Sequence, residues 1–99
     1  MTIVGSLSVN ALFSGLFPEA ELYARRSLAL DPTDTTAITL LAEALLLQGK
    51  RQEAEPYFLQ LDDKAKEISM NDLEFLEDEG LIPKERKADV ERVRKLLQK

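Results

Sequence analysis

The sequence predicts an all-α protein made of antiparallel helix-turn-helix units, and three observations carry that expectation. Sliding the 99-residue chain against itself by 34 positions pairs Thr2 with Thr36, Leu7 with Leu41, Leu12 with Leu46, Gly15 with Gly49, Glu19 with Glu53, Ala20 with Ala54, Glu21 with Glu55 and Tyr23 with Tyr57. These eight identities cluster around one loop, as expected of a stacked repeat. Within each copy the apolar residues recur at helical spacing, and Gly and Pro number only four each.

The first unit spans residues 1–34. Its first helix ends at Gly15, where a positive φ costs glycine least. Pro18 stands where a first helical turn tolerates it, and Ala20, Tyr23, Ala24, Ser27 and Leu30 form the inner face of the second helix. Asp31 and Pro32 stop that helix, because the residue before proline is biased away from the α region.

The second unit spans residues 35–68. Asp34 is its expected N-cap, and Ile38, Leu41, Ala42, Leu45 and Leu46 follow the i, i+3, i+4, i+7, i+8 pattern of a helix with one buried face. Gly49 opens the turn GKRQ. A second helix is expected from there to about residue 67, with Ala54, Tyr57, Phe58, Leu61, Ala65 and Ile68 on one side.

Residues 69–99 follow the period less closely. Ser69 with Asp72 has capping-box spacing before a short helix bearing Leu73, Phe75 and Leu76 that Gly80 ends. After LIPK a final helix begins near Lys84, with Val90, Val93, Leu96 and Leu97 as its apolar stripe. This is read as a degenerate third helix pair acting as a C-terminal cap, since repeat arrays need about three stacked units and their terminal unit is atypical.

The strings GLFPEAELYARRSLALDP and LLAEALLLQGKRQEAEPYF resemble the tetratricopeptide repeat over residues 1–66. Leu7, Ser8, Gly15, Ala20 and Pro32 occupy that pattern in the first unit, and Leu41, Ala42, Gly49, Ala54 and Phe58 in the second. Val4 and Ile38 stand where the family often has Trp, Ala24 where an aromatic is usual, and Lys66 where a second Pro is found. Small residues at Ser8, Ala20, Ala42 and Ala54 suit close helix approach, which larger side chains would overpack.

Composition narrows the functional classes. His and Cys are absent, which removes the usual neutral-pH general base, thiol nucleophiles and thiolate metal sites. An enzyme is not expected, nor a cofactor or a metal: Asp62 and Asp63 are adjacent and cannot face one another on a helix, and Glu77, Asp78 and Glu79 lack a calcium-loop pattern. The formal charge of −5 disfavours nucleic acid. The N-terminal run MTIVGSLSVNALFSGLF has no preceding Lys or Arg and is broken by polar residues, so it is read as the first repeat helix rather than as a secretion signal. No apolar stretch reaches the roughly 18 residues of a membrane span, and a cytoplasmic protein without membrane insertion is expected. Charge is segregated near the C-terminus: residues 62–79 carry eight acids and two bases, residues 84–99 seven bases and three acids.

The resemblance implies a concave surface lined by the first helix of each unit. Carried over, it places Thr2, Gly5, Val9, Leu12 and Phe13 on that surface from the first unit, and Thr36, Thr39, Glu43, Leu46 and Leu47 from the second. Members that grip a terminal carboxylate use Lys, Asn and Arg there, whereas Gly5, Val9, Leu40 and Met70 hold the matching places here. The expected function is therefore a protein-binding adaptor or small chaperone whose partner is a hydrophobic or basic amphipathic segment. The alternative is a homo-oligomeric assembly module that satisfies the same apolar surface with a second copy.

Overall fold

The computed structural model describes the backbone of residues 3–98 and the side chains of residues 7–98. It contains α1 (Ile3–Phe13), α2 (Phe17–Leu30), α3 (Thr35–Leu47), α4 (Arg51–Leu59), α5 (Asp63–Asp78), a short 3₁₀ turn (Lys84–Arg86) and α6 (Lys87–Leu97), with no strand among the described residues. None of these helices is long and apolar enough to cross a membrane.

Three of the joints share one chemistry. At the end of α1 the Gly15 N–H donates to the Leu12 carbonyl and the Leu16 N–H reaches back to Ala11; Gly49 with Lys50, and Gly80 with Leu81, repeat this after α3 and α5. This is the Schellman arrangement, in which two carbonyls of the last turn are satisfied and the chain reverses through a left-handed residue. All three glycines hold that conformation, with φ between 71° and 87°. At the helix starts the expected Asp34 cap is present, its Oδ1 accepting from Ala37 N at 3.2 Å.

Two expectations about element boundaries are corrected. The second helix of the second unit stops at Leu59 instead of continuing to about residue 67. Pro56 lies inside α4 and removes the amide that would bond back to Gln52, so the helix loses cohesion near its end. Asp62 then starts a new helix by accepting from Ala65 N at 2.8 Å. Ser69 is accordingly no N-cap. It sits in the middle of α5, fully buried. Leu30, placed on the inner face of α2, is 71% exposed because it stands in the last turn, past the reach of its neighbours.

The helices pack in order: α1 on α2, α2 on α3, and α3 on α4, with α1 and α5 on either side of α3 and with α6 against α4 and α5. Ser8, Ala20, Ala42 and Ala54 are all buried at 1% exposure or less, and the Ser8 hydroxyl donates to the Ala20 carbonyl at 3.1 Å. Such contact leaves no room for a branched side chain. Glu21 ties α2 to the turn between α3 and α4 by accepting from Gln48 at 2.8 Å and from Lys50 at 3.2 Å. Val90, Val93 and Leu97 of α6 are buried, and Leu96 is partly so. Charged pairs surround that contact: Arg51 with Asp89, Arg92 with Glu55 and Arg94 with Glu77.

Candidate functional site

Ten of the thirteen residues of α3 are buried, which explains why this helix is apolar on every side. Neighbours on all its flanks supply the burial, so its composition alone requires no external partner. The residues expected to line a concave surface divide accordingly. Leu12 and Leu46 have no exposure and Leu47 has 2%; they belong to the core, a correction that follows from α1 packing on α2 and α3, and from α3 being flanked by α1, α2, α4 and α5. Thr39 is buried, its Oγ1 donating to the Thr35 carbonyl at 2.9 Å. Glu43 is buried too, whereas Thr36 is exposed and Val9 and Phe13 are half-buried. Thr2 lies outside the described residues, and Gly5 is described only as part of the α1 backbone.

What remains of the concave side is a strip between α1 and α5 floored by α3. Phe13 meets Phe75 edge to face, with ring centroids 5.4 Å apart, yet Phe75 is still 46% exposed and Ile68, two turns earlier on α5, 48%. Toward the start of α3 the strip opens into a recess of about 80 Å³ bordered by Thr35, Thr36, Thr39, Leu40, Ala65, Ile68 and Asp72. That is room for two or three waters at about 30 Å³ each and well below the several hundred Å³ of a small-molecule site.

Beside this recess is the least expected group of the fold. Glu43 is the only charged residue of α3 and has 0% exposure. One carboxyl oxygen accepts from Ser69 Oγ at 2.7 Å, and the other, Oε1, has no hydrogen-bond partner. Asp72, one turn beyond Ser69 and half-buried, is the second polar group bearing on it. Burial pushes the Glu43 carboxyl well above the usual carboxylate range, the Asp72 charge raises it further, and the Ser69 hydrogen bond offsets only part of this. Burial raises Asp72 as well, against a hydrogen bond from Glu43 that lowers it. Protonated Glu43 beside ionised Asp72 is the state that follows, with the proton supplying the donor that two facing acceptors lack.

Sequence reasoning singled out Glu43 but not Ile68, Ser69, Asp72 and Phe75 as parts of one site. A lone acid within TTAITLLAEALLL was the available signal. Its partners are a fold-level property, since Ser69 and Asp72 reach Glu43 only once the break at residues 60–62 fixes the rotation of α5. Compared with protein families, curated proteins and solved structures, the chain matches none.

Proposed function

We propose that this chain is a protein-interaction module of the tetratricopeptide-repeat type that docks a basic amphipathic segment on the strip between α1 and α5. The observation carrying this reading is the combination, in one strip, of half-exposed apolar side chains at Ile68 and Phe75, beside Phe13, with the Asp72 carboxyl lining the recess and the Glu43 carboxyl buried behind it. An amphipathic helix presents those two properties in complement, apolar anchors at helical spacing and a flanking cation. The repeat assignment is supported by the packing order, in which the first helices of successive pairs, α1, α3 and α5, lie side by side while α4 neighbours α6. No catalytic role is assigned: the recess is too small to enclose a substrate, and Glu43 and Asp72 have neither His nor Cys to work with in this chain.

Selection from a displayed peptide library tests the proposal. Enriched peptides should be amphipathic and basic, and Ile68→Asp or Phe75→Asp should abolish capture while Leu30→Asp, on the outer face, should not. Capture that survives both strip substitutions would refute the reading, and concentration-dependent dimerisation lost in the same variants would favour a second copy as the occupant. Aspartate at Leu12 or Leu46 would report on folding instead, since both are in the core.

A further inference from the structure

Among the described residues, no cationic side chain pairs with Glu43 or Asp72. α1 contains no charged residue and α3 none besides Glu43. From α2, Glu21 is engaged by Arg25 and Lys50; from α4, Arg51 pairs with Glu55 and Asp89; from α6, Arg94 pairs with Glu77 and Glu91. Among the described residues no ion pair reaches either carboxyl of the site. As a carboxylate, Glu43 would leave Oε1 a fully buried acceptor without a donor, a state that costs free energy and that only the proton shared with Asp72 relieves.

We infer that Glu43, Ser69 and Asp72 form a socket for a single guanidinium group brought by the docked partner, with Ile68 and Phe75 flanking the aliphatic stem of that arginine. The inference rests on the docking strip proposed above and specifies what anchors the partner there. A planar guanidinium carries several N–H donors in a fixed fork, so one group can serve both carboxylates, and its weak hydration makes burial less costly than for an ammonium. The recess of about 80 Å³ at Asp72 admits the end of one side chain and little more. Phe75 offers an aromatic face of the kind on which guanidinium groups stack. Two carboxyls and a hydroxyl fall short of a metal cage, and no group of three or more acidic, His or Cys side chains able to hold an ion occurs among the described residues.

A proton balance follows. In the empty socket Glu43 keeps its proton; when the cation enters, that proton leaves to solvent and the carboxylate takes the guanidinium N–H groups in its place. Binding is therefore coupled to proton release wherever Glu43 of the free chain is still protonated, and it tightens as pH rises.

The experiment is calorimetric titration of the full chain with three versions of one Leu/Ala/Gln amphipathic helical peptide, bearing a central arginine, citrulline or lysine. It is run in buffers of different ionisation enthalpy, with butylguanidinium as a small-molecule control followed by amide NMR. The arginine peptide should bind at least about tenfold more tightly than the citrulline peptide. It should release a proton, and it should lose its advantage in Glu43→Gln and in Asp72→Asn. Because the comparison between peptides is made on the unaltered chain, it stands even if a variant folds poorly. Equal binding of arginine and citrulline peptides would overturn the socket while leaving the docking strip intact, and equal binding of lysine and arginine would overturn its guanidinium specificity. Saturable butylguanidinium shifts at Thr39, Ser69 and Asp72 without peptide binding would uphold the socket and refute the strip. No response to any probe would refute both.

Discussion

Glu43→Gln keeps the shape of the one acid that α3 buries and removes its titration. In the wild type the folded carboxyl is raised well above its ordinary value of 4.5. Between those two values the native state holds a proton that the unfolded chain has released. The contribution of this group to stability is therefore complete below about pH 4.5 and is lost as pH rises, with a slope of about 1.4 kcal/mol per pH unit while the difference is a whole proton. Asp72, also raised, adds a slope of the same sign. Glutamine keeps an oxygen for Ser69 Oγ and turns its amide hydrogens toward Asp72, so the orphan acceptor disappears without loss of packing. Across two pH units above about pH 4.5 the variant should gain up to roughly 3 kcal/mol on the wild type. In a domain of this size each kcal/mol corresponds to about 4–8 °C of melting temperature. Thermal denaturation followed by far-ultraviolet circular dichroism, in steps from about pH 5 to about pH 8, reads the effect directly. Contributions from carboxyls remote from position 43 cancel in the difference between the two proteins, whereas Asp72, coupled to Glu43, contributes to that difference as part of the pair. A difference in melting temperature that stays constant over that range would refute the assignment of a buried, protonated Glu43.

Three further outcomes are expected. Ala20→Leu and Ala54→Leu, both at positions of zero exposure, should each destabilise by about 1–3 kcal/mol through overpacking; unchanged urea midpoints in both would mean the helices are not in close contact there. Gly80→Ala meets nothing within 4 Å and should cost about 1–2 kcal/mol for the left-handed backbone alone. Gly49→Ala should cost about as much, because a Cβ there would come within 2.7 Å only of the Arg86 guanidinium, the free end of a flexible side chain that can move aside; a clearly larger loss of denaturation midpoint than in Gly80→Ala would show that Arg86 is held in place. Deleting residues from Lys84 onward should cause aggregation or a large fall in melting temperature, since Val90, Val93 and Leu97 each contribute about 1.5–3 kcal/mol of burial; a truncated chain that melts with the full one and stays monomeric would make α6 a dispensable tail.

Local chemistry was legible and three-dimensional reach was not. Gly15, Gly49, Asp34 and Pro32 act on the backbone within a few residues, and the helix ends they imply are those observed. The paired alanines were legible because the 34-residue period repeats them. The break between α4 and α5 was hidden by a continuous apolar spacing, Ala54 to Leu61 to Ala65, that a three-residue interruption does not disturb; Pro56 and the cap at Asp62 carried the contrary signal. The exposure of α3 was misjudged because an apolar helix reads the same whether its far side faces a partner or a third helix pair. Segregated charge near the C-terminus was legible, and the attraction it implies between the acidic and the basic stretch is met where Arg94 of α6 reaches Glu77 of α5; the pairs of Arg51 and Arg92 that join α6 to α4 lie outside that pattern.

The buried acid is best weighed against what else could stand there. A leucine or methionine at position 43 would continue the apolar run of α3 and need no partner, and replacing buried ionisable groups by well-packed apolar ones is commonly neutral or stabilising by about 1–4 kcal/mol. Total stability at this size is only about 5–15 kcal/mol, so the carboxyl costs a sizeable share of it. Ser27 Oγ on α2, also buried without a partner, makes a useful contrast. A hydroxyl is small, uncharged and able to rotate, and its burial places no ionisable group out of water. At Glu43 the expense falls on a group aligned with Ser69 and Asp72, beside a recess that borders the half-exposed Ile68. Departures from local consistency are expected where a protein must meet something outside itself. The stability that Glu43→Gln should recover is, on this reasoning, the same free energy that a docking guanidinium would relieve, so the variant that melts highest should also be the one that no longer distinguishes arginine from citrulline.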